Sequence, residues 1–118
     1  MGWLDEDKEL ERVIQESVPG KQVTLAHVLA APATDICEKI DIEKSGAIGI
    51  LTLTPCETAI IAADIATKAA TVQIGFLDRF TGSLVVTGDV QSVETALERV
   101  TSVLRDMLGF TVEKVTRT

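Results

Sequence analysis

Two side chains of this sequence, Cys56 and His27, are of types that perform nucleophilic or acid–base chemistry. Cys56 follows Thr54-Pro55 at the predicted start of a helix, where the helix dipole favours a thiolate. His27 is the single histidine, so it is the only base that a Cys–His pair can use, and a metal site of several histidines is excluded within one chain. The alternatives are a small side chain tolerated in the first helical turn and a hydrogen-bonded histidine within an apolar strand. We favour these alternatives, and we therefore expect neither an active site nor a cofactor.

Composition and charge exclude several classes of partner. The chain has 118 residues, of which 46% are hydrophobic and 25% charged, as in one globular domain. Its 11 basic and 18 acidic residues give a net charge of −7, which disfavours nucleic acid and anionic membranes. No apolar run approaches the roughly 18 residues that a membrane-spanning helix needs. Two cysteines behind an acidic N-terminus, unlike a signal peptide, predict a reducing cytoplasmic location.

Two long helices are predicted in the second half of the chain. The motif Thr54-Pro55-Cys56-Glu57 has an N-cap threonine, a proline at the first helical position and a glutamate that closes a capping box, and the helix continues to Ala69. The second helix has apolar residues at 3.6-residue spacing over 93–108 and ends at Gly109.

Strands are predicted between and around these helices. Their order along the chain predicts an α+β sandwich, with one sheet and helices packed on it. A further short strand, 12–18, ends at Pro19-Gly20, which is typical of a type II turn and does not favour a hairpin with the next strand. That strand therefore needs partners outside the subunit. The other predicted strands are Val23–Leu29, Ala47–Leu53, Val72–Phe76, Leu84–Thr87 and Phe110–Val115.

Several longer motifs resemble those of one protein family. The segments 46–55 (GAIGILTLTP), 65–70 (IATKAA), 74–82 (IGFLDRFTG) and 88–90 (GDV) resemble the shell proteins of bacterial microcompartments. More narrowly, 18–27 (VPGKQVTLAH) and 75–80 (GFLDRF) resemble the circularly permuted, single-domain type known from ethanolamine, propanediol and choline compartments. The resemblance covers about residues 12–118, and its motifs occur in the family's order.

The resemblance implies a fold and an assembly. The expected fold is a ferredoxin-like microcompartment domain over residues 11–118, circularly permuted, behind a flexible tail of residues 1–10. The expected assembly is a disc-shaped homohexamer that tiles the shell around metabolic enzymes, together with other shell proteins. In the permuted type, the N-terminal strands of six subunits form a small β-barrel over the central pore. Here residues 11–18 correspond to that strand, and its wall residues are Arg12, Val13, Ile14, Gln15, Glu16 and Ser17.

The same resemblance implies roles for individual residues. Phe80, Thr81 and Gly82 correspond to the pore-facing loop, and Lys68 to the lysine at the hexamer edge. Gly46 is a possible hinge, since its freedom at positive φ would let subunits tilt. From the residues alone, these positions are equally explained as an ordinary turn, a solvated lysine in a last helical turn and a turn glycine. Around the proline of the family's final-strand motif, Ala31 and Ala33 replace an arginine and a histidine, so an arginine contact between hexamers is not expected.

Three functions remain open at the level of sequence. The first is the structural shell protein, whose acidic tail with Trp3 either docks another shell, cargo or accessory protein or is a disordered segment that increases solubility. The second is a small-molecule-sensing oligomeric regulatory domain that binds a ligand between subunits, since fold does not determine function. The third is a thiol enzyme that uses Cys56. The resemblance favours the first.

Overall fold

The computed structural model of the chain describes residues 20–40 and 46–118. The predicted tail, residues 1–10, and the predicted barrel strand with its wall residues 12–17 lie outside the described residues. Pro19 of the predicted turn also lies outside them, whereas the other residues singled out above lie within the described ranges.

The described residues form three helices and six strands that alternate along the chain. Most of the predicted elements are found at the predicted places, within one or two residues at each end. In chain order the elements are β1 (Gln22–Ala30), α1 (Thr34–Lys39), β2 (Ala47–Thr54), α2 (Thr58–Ala69), β3 (Gln73–Asp78), β4 (Ser83–Gly88), α3 (Val90–Leu108), β5 (Thr111–Val112) and β6 (Thr116–Arg117).

All six strands belong to one sheet in the order β3-β4-β2-β1-β5, with β6 also pairing with β1. The pairs β1–β2, β2–β4 and β3–β4 are antiparallel, whereas the short strands β5 and β6 run parallel to β1. The first strand of the described residues, β1, therefore lies inside the sheet, between β2 and the strands β5 and β6. Within the described part of the chain, β3 forms one edge and pairs with β4 alone.

The hydrophobic core lies between the sheet and the helices α2 and α3. Small side chains of α2, such as Ala62 and Ala66, are fully buried and allow its backbone to pack closely. Helix α3 contributes larger side chains, including Leu97 and Leu104, at the 3.6-residue spacing that the sequence predicts. Since both helices pack in one cluster with the sheet, the predicted α+β architecture of one sheet with helices on it is confirmed.

Helix α3 is capped at both ends by its own sequence. The Asp89 side chain accepts a hydrogen bond of 2.8 Å from the backbone N–H of Ser92. This N–H and the Ser92 hydroxyl lower the pKa of the Asp89 carboxyl below its ordinary value. At the other end Gly109 adopts the left-handed conformation, with φ of 73°, as the prediction of a C-terminal glycine cap requires.

Two predicted boundaries are wrong. Helix α2 begins at Thr58 and not after Thr54, because Thr54 is the last residue of β2 and pairs with Gln22. The residues between them form turns, and Glu57 makes no side-chain cap. The predicted final strand over 110–115 contains only β5, and a second short strand, β6, follows it; Phe110 lies before β5 and is buried in the core.

Candidate functional site

The turn between β3 and β4 is a surface loop held by several hydrogen bonds to one residue. One carboxylate oxygen of Asp78 accepts hydrogen bonds from the backbone N–H groups of Phe80, at 2.8 Å, and Thr81, at 3.3 Å. The backbone carbonyl of Asp78 accepts a third, at 2.9 Å, from the N–H of Gly82. A single aspartate thus holds the loop, as in an Asx turn.

Gly82 occupies a position that no other residue fits. Its φ is +80°, in the left-handed region that favours glycine. A Cβ atom there would also lie far inside van der Waals contact of the Leu53 carbonyl oxygen. The Gly82 carbonyl in turn accepts a 2.8 Å hydrogen bond from the Leu53 N–H, so the end of the turn is tied to β2.

The turn presents an aromatic side chain to the surroundings. Phe80 is 79% exposed, and the Arg79 guanidinium carbon lies 5.0 Å from the centre of its ring, within cation–π range. Of the predicted pore-loop residues, Phe80 and Thr81 are exposed and Gly82 is buried against β2. Sequence analysis did not assign a role to Asp78, although an aspartate two residues before Phe80 and four before Gly82 is typical of a turn.

The charge of Asp78 contributes to the stability of this loop in a pH-dependent way. The Phe80 backbone N–H, and then the Thr81 hydroxyl, lower the pKa of the Asp78 carboxyl below its ordinary value. A lowered folded-state pKa stabilises the fold fully above the ordinary aspartate range, about pH 4, and the contribution is lost as pH falls through the folded value.

We therefore expect Asp78→Ala to lower the melting temperature by a few degrees at pH 7, and by less at pH 3, because the carboxyl of the unfolded chain is largely protonated there and part of the stabilisation is lost. Amide hydrogen exchange at Phe80 and Thr81 should accelerate in the variant at pH 7. Thermal melts at both pH values, with exchange measured by NMR, test this. An equal difference in melting temperature at the two pH values would contradict the assignment.

Lys68 lies in the last turn of α2, as predicted, and is largely solvated. Its ammonium nitrogen is 3.0 Å from a carboxylate oxygen of Asp64, one turn earlier, and 75% of the lysine side chain is exposed. Exposed pairs of this kind contribute about 0.3–0.5 kcal/mol. The pair therefore leaves Lys68 available for contacts outside the subunit.

Gly46 precedes β2 beside the start of α3. Its carbonyl accepts a 2.8 Å hydrogen bond from the Ala31 N–H. The predicted hinge relied on positive φ, but Gly46 is not in the left-handed region here, whereas Ala31 is, with φ of 51°. A Cβ on Gly46 would lie 3.4 Å from the Cα of Asp89, so a larger residue would crowd the helix start.

Cys56 and His27 are not brought together within the subunit. Both ring nitrogens of His27 are hydrogen-bonded to threonine hydroxyls, at 2.6 Å to Thr116 and 2.8 Å to Thr118. Cys56 follows Thr54, which pairs with Gln22, five residues along β1 from the histidine. Five strand residues span about 16 Å, far beyond hydrogen-bond distance. The hydrogen-bonded role of His27 is thus the correct alternative.

The isolated subunit leaves many large apolar side chains uncovered. On the edge strand β3, Ile74 and Phe76 are almost half exposed, and so are Ile60 and Ile61 on α2. Exposed apolar side chains and the unpaired edge of β3 among the described residues are both features suited to contact with another protein chain. Sequence reasoning missed these features, because apolar composition alone does not tell which side chains the fold covers.

In the described ranges, no helix has the length and apolar character needed to cross a membrane. Nor does any group of three or more histidine, cysteine, aspartate or glutamate residues there come together as a metal site would require.

Comparison with known proteins identifies the family. The model of the BMC domain matches residues 47–116, from the start of β2 into β6. The chain belongs to the BMC-domain family. Among similar proteins, the bacterial microcompartment shell protein CutR of Streptococcus intermedius is 54% identical over 114 residues, which cover 97% of this chain and 98% of CutR. The bacterial microcompartment shell protein PduU of Salmonella typhimurium is 54% identical over 116 residues, which cover 98% of this chain and all of PduU.

The BMC fold is also seen in solved structures. One chain of the structure described as a CutR flat hexamer superposes on this chain with a TM-score of 0.83. The two chains are 55% identical in sequence, and the match covers 88% of this chain and 96% of the CutR chain. Membership of the family confirms the predicted class of a structural shell protein, and the thiol enzyme is wrong.

Proposed function

We propose that six copies of this BMC-domain chain form a hexameric tile of a microcompartment shell, which packs edge to edge with other shell proteins around metabolic enzymes in the cytoplasm. The observation that carries the proposal is the superposition, over 88% of the chain, on a subunit of the CutR flat hexamer. The exposed apolar residues of β3 and α2 give it a physical basis, since contacts between subunits would remove them from water.

The chain order of the elements supports a circular permutation. The BMC-domain model matches from residue 47 onwards, so β1 and α1 precede the matched region in sequence. Nevertheless β1 lies inside the sheet, paired on both sides. This arrangement is expected of a circular permutation, in which the elements that come last in the ordinary family domain come first in this chain. The chain then forms one permuted domain over residues 11–118.

We assign the segment before β1 to the pore. Residues 12–17 form the wall of a six-stranded barrel over the pore, and closure of the barrel removes the open strand edges that would aggregate. The exposed turn with Phe80, Thr81 and Gly82 lines the pore beneath. Since the barrel caps the pore, the subunit is a specialised tile or docking point rather than the main metabolite route, and its tail, residues 1–10, docks another shell or cargo protein.

Lys68 and Gly46 act in the contacts between subunits and hexamers. The solvated lysine at the end of α2 reaches the neighbouring hexamer, and many such weak contacts sum to a stable layer. Gly46, next to α3, lets the subunit tilt away from strict sixfold symmetry.

Native mass spectrometry with negative-stain imaging of the purified chain tests the proposal. A mass of six subunits, with disc-like particles or sheets, is the expected result. A monomer, dimer or trimer without larger assemblies would overturn it, and would favour the sensing domain, for which ligand screening would follow.

Deleting residues 1–18 is expected to leave the hexamer intact and to open a central channel, because the contacts between subunits lie in the domain and the barrel lies over the pore. Native mass and image averages of the truncated chain measure both. A monomeric truncated chain would show that the N-terminal segment, and not the domain surface, holds the assembly together.

Gly46→Val is expected to reduce how far subunits can tilt away from sixfold symmetry in the hexamer. The reason is that a branched side chain there crowds the start of α3 and disfavours positive φ. Crystal forms of the variant and the wild type would be compared. The control is Gly20→Val, where a Cβ meets no atom within 4 Å. Identical arrangements in Gly46→Val and wild type would contradict the hinge.

A further inference from the structure

The face of the sheet that points away from α2 and α3 carries a row of apolar side chains. Phe76 of β3 pairs with Val85 of β4, and Val85 pairs with Ile50 of β2, so the three side chains lie side by side on one face. We call them the sheet-face row. All three lie outside the core cluster, whereas Leu84 and Leu51, their neighbours along the strands, are fully buried in it. Because successive strand residues point to opposite faces, the row lies on the side away from the core.

A second apolar surface lies on the outer side of α2. Ile60 and Ile61 are 49% and 45% exposed, because Ala59, Ala62 and Ala63 occupy the side of the helix that faces the core. We call the two isoleucines the α2 patch. The subunit therefore has one apolar surface beyond its sheet and another beyond its helices, on opposite sides of the core.

Both surfaces lie at the end of the subunit that carries the β3–β4 turn. In β4, Val85 follows Gly82 of that turn by three residues. Helix α2 begins beside the same turn, since an added Cβ on Gly82 would stand 3.1 Å from the Cα of Cys56, just before the helix. Lys68 is at the other end of α2, about 12 Å along the helix axis from Ile60. With the turn at the pore, both surfaces lie near the pore and away from the hexamer edge.

A ring of six copies needs two different surfaces on each subunit. In a twofold contact one surface meets its own copy, but in a ring each subunit presents one surface to the preceding copy and another to the following copy. The two surfaces must lie on opposite sides of the subunit and at a similar distance from the axis. The sheet-face row and the α2 patch meet both conditions. Neither contains an ionisable side chain, so their contact desolvates no charge.

We propose that the sheet-face row of one subunit packs against the α2 patch of the next subunit in the ring. This inference rests on the proposed function, and it names the two surfaces that join the copies. Phe76, Ile60 and Ile61 are each about half exposed in the single subunit, and their removal from water drives the contact.

Opposite charges placed on the two surfaces test whether they meet. Phe76→Glu and Ile61→Lys should each lower the hexamer fraction in native mass spectra about tenfold or more, because each variant leaves an unpaired charge between subunits. Combined in one chain, the two should restore most of the hexamers, since the glutamate of one subunit then faces the lysine of the next. Ile36→Glu and Ile40→Lys place the same charges at other exposed apolar sites and should leave the hexamer fraction unchanged.

Cross-linking shows directly which surface meets which. Cys37 is buried, so Cys56→Ser removes the more accessible native thiol. In that background, a chain with both Phe76→Cys and Ile61→Cys should give ladders of up to six linked subunits with a short bismaleimide. Chains with only one of the two new cysteines should remain unlinked. The reagent cannot join both within one subunit, because the sheet and the helix lie between them.

Several results would overturn the proposal while leaving the hexameric tile intact. They are hexamers of the double-cysteine chain that do not cross-link, dimers from a chain with one new cysteine, and charge variants that assemble as the wild type does. A double charge variant that assembles no better than the single ones would contradict it as well. A wild type without hexamers would instead overturn the proposed function.

Discussion

Gly82→Ala is expected to lower the free energy of unfolding by more than about 2 kcal/mol, because two costs add at one position. The left-handed φ of +80° disfavours any residue with a Cβ, at about 1–2 kcal/mol. In addition, the new methyl group would overlap the Leu53 carbonyl oxygen and stand 3.1 Å from the Cα of Cys56. Relief of this overlap must break the hydrogen bond from the Leu53 N–H to the Gly82 carbonyl.

Gly109→Ala is the matched control, since it has a similar φ of +73° but no atom within 4 Å of the added Cβ. The difference between the two variants therefore measures the steric cost alone. Urea unfolding followed by circular dichroism gives both values, at equal protein concentration because assembly adds to the apparent stability. Equal destabilisation of the two variants would mean that the turn relaxes without cost.

Gly49→Val is expected to destabilise the subunit by about 3 kcal/mol or more, because helix α3 packs directly on this glycine of β2. An added Cβ would stand 2.7 Å from Leu97 Cδ1, 2.8 Å from Val93 Cγ1 and 3.0 Å from Val86 Cγ2. All three neighbours are fully buried, so they have no free space to enter. The same urea unfolding measures the loss, and Gly20→Val should stay within about 0.5 kcal/mol of wild type.

A double-mutant cycle identifies the cause of the Gly49 effect. Leu97→Ala alone removes a fully buried side chain and should cost about 2–5 kcal/mol. Combined with Gly49→Ala, it provides the space that the new methyl group needs, so the double variant should lose less stability than the sum of the single ones. Additive losses would show that the helix–strand contact does not cause the destabilisation.

Capping motifs and apolar spacing predicted correctly those helices and strands whose ends are determined by residues within or next to them. Helix α3 is the best case, since its apolar spacing and its terminal Gly109 determine its length. The predicted start of α2 was wrong because Thr54 has two possible roles, as a helix cap or as a strand residue. The sheet decided between them through the pairing with Gln22, a contact between residues far apart in sequence.

The candidate site was predictable in part for the same reason. The turn residues and Lys68 were found from motifs, and their positions in a surface turn and a last helical turn agree with that prediction. The exposed apolar side chains of β3 and α2 were not found, since their exposure depends on where the sheet ends. The hinge role of Gly46 stays a prediction, and in this structure the left-handed conformation is adopted by Ala31 and not by Gly46.

The inside position of β1 has a consequence for synthesis on the ribosome. One neighbour, β2, follows it closely in the chain, but the other neighbours, β5 and β6, emerge only after α3. Until they do, β1 presents an unpaired edge to every other nascent chain nearby. Residues 111–118 therefore cover an edge of β1, and a nascent subunit in which they have not yet paired presents an open sheet at that edge.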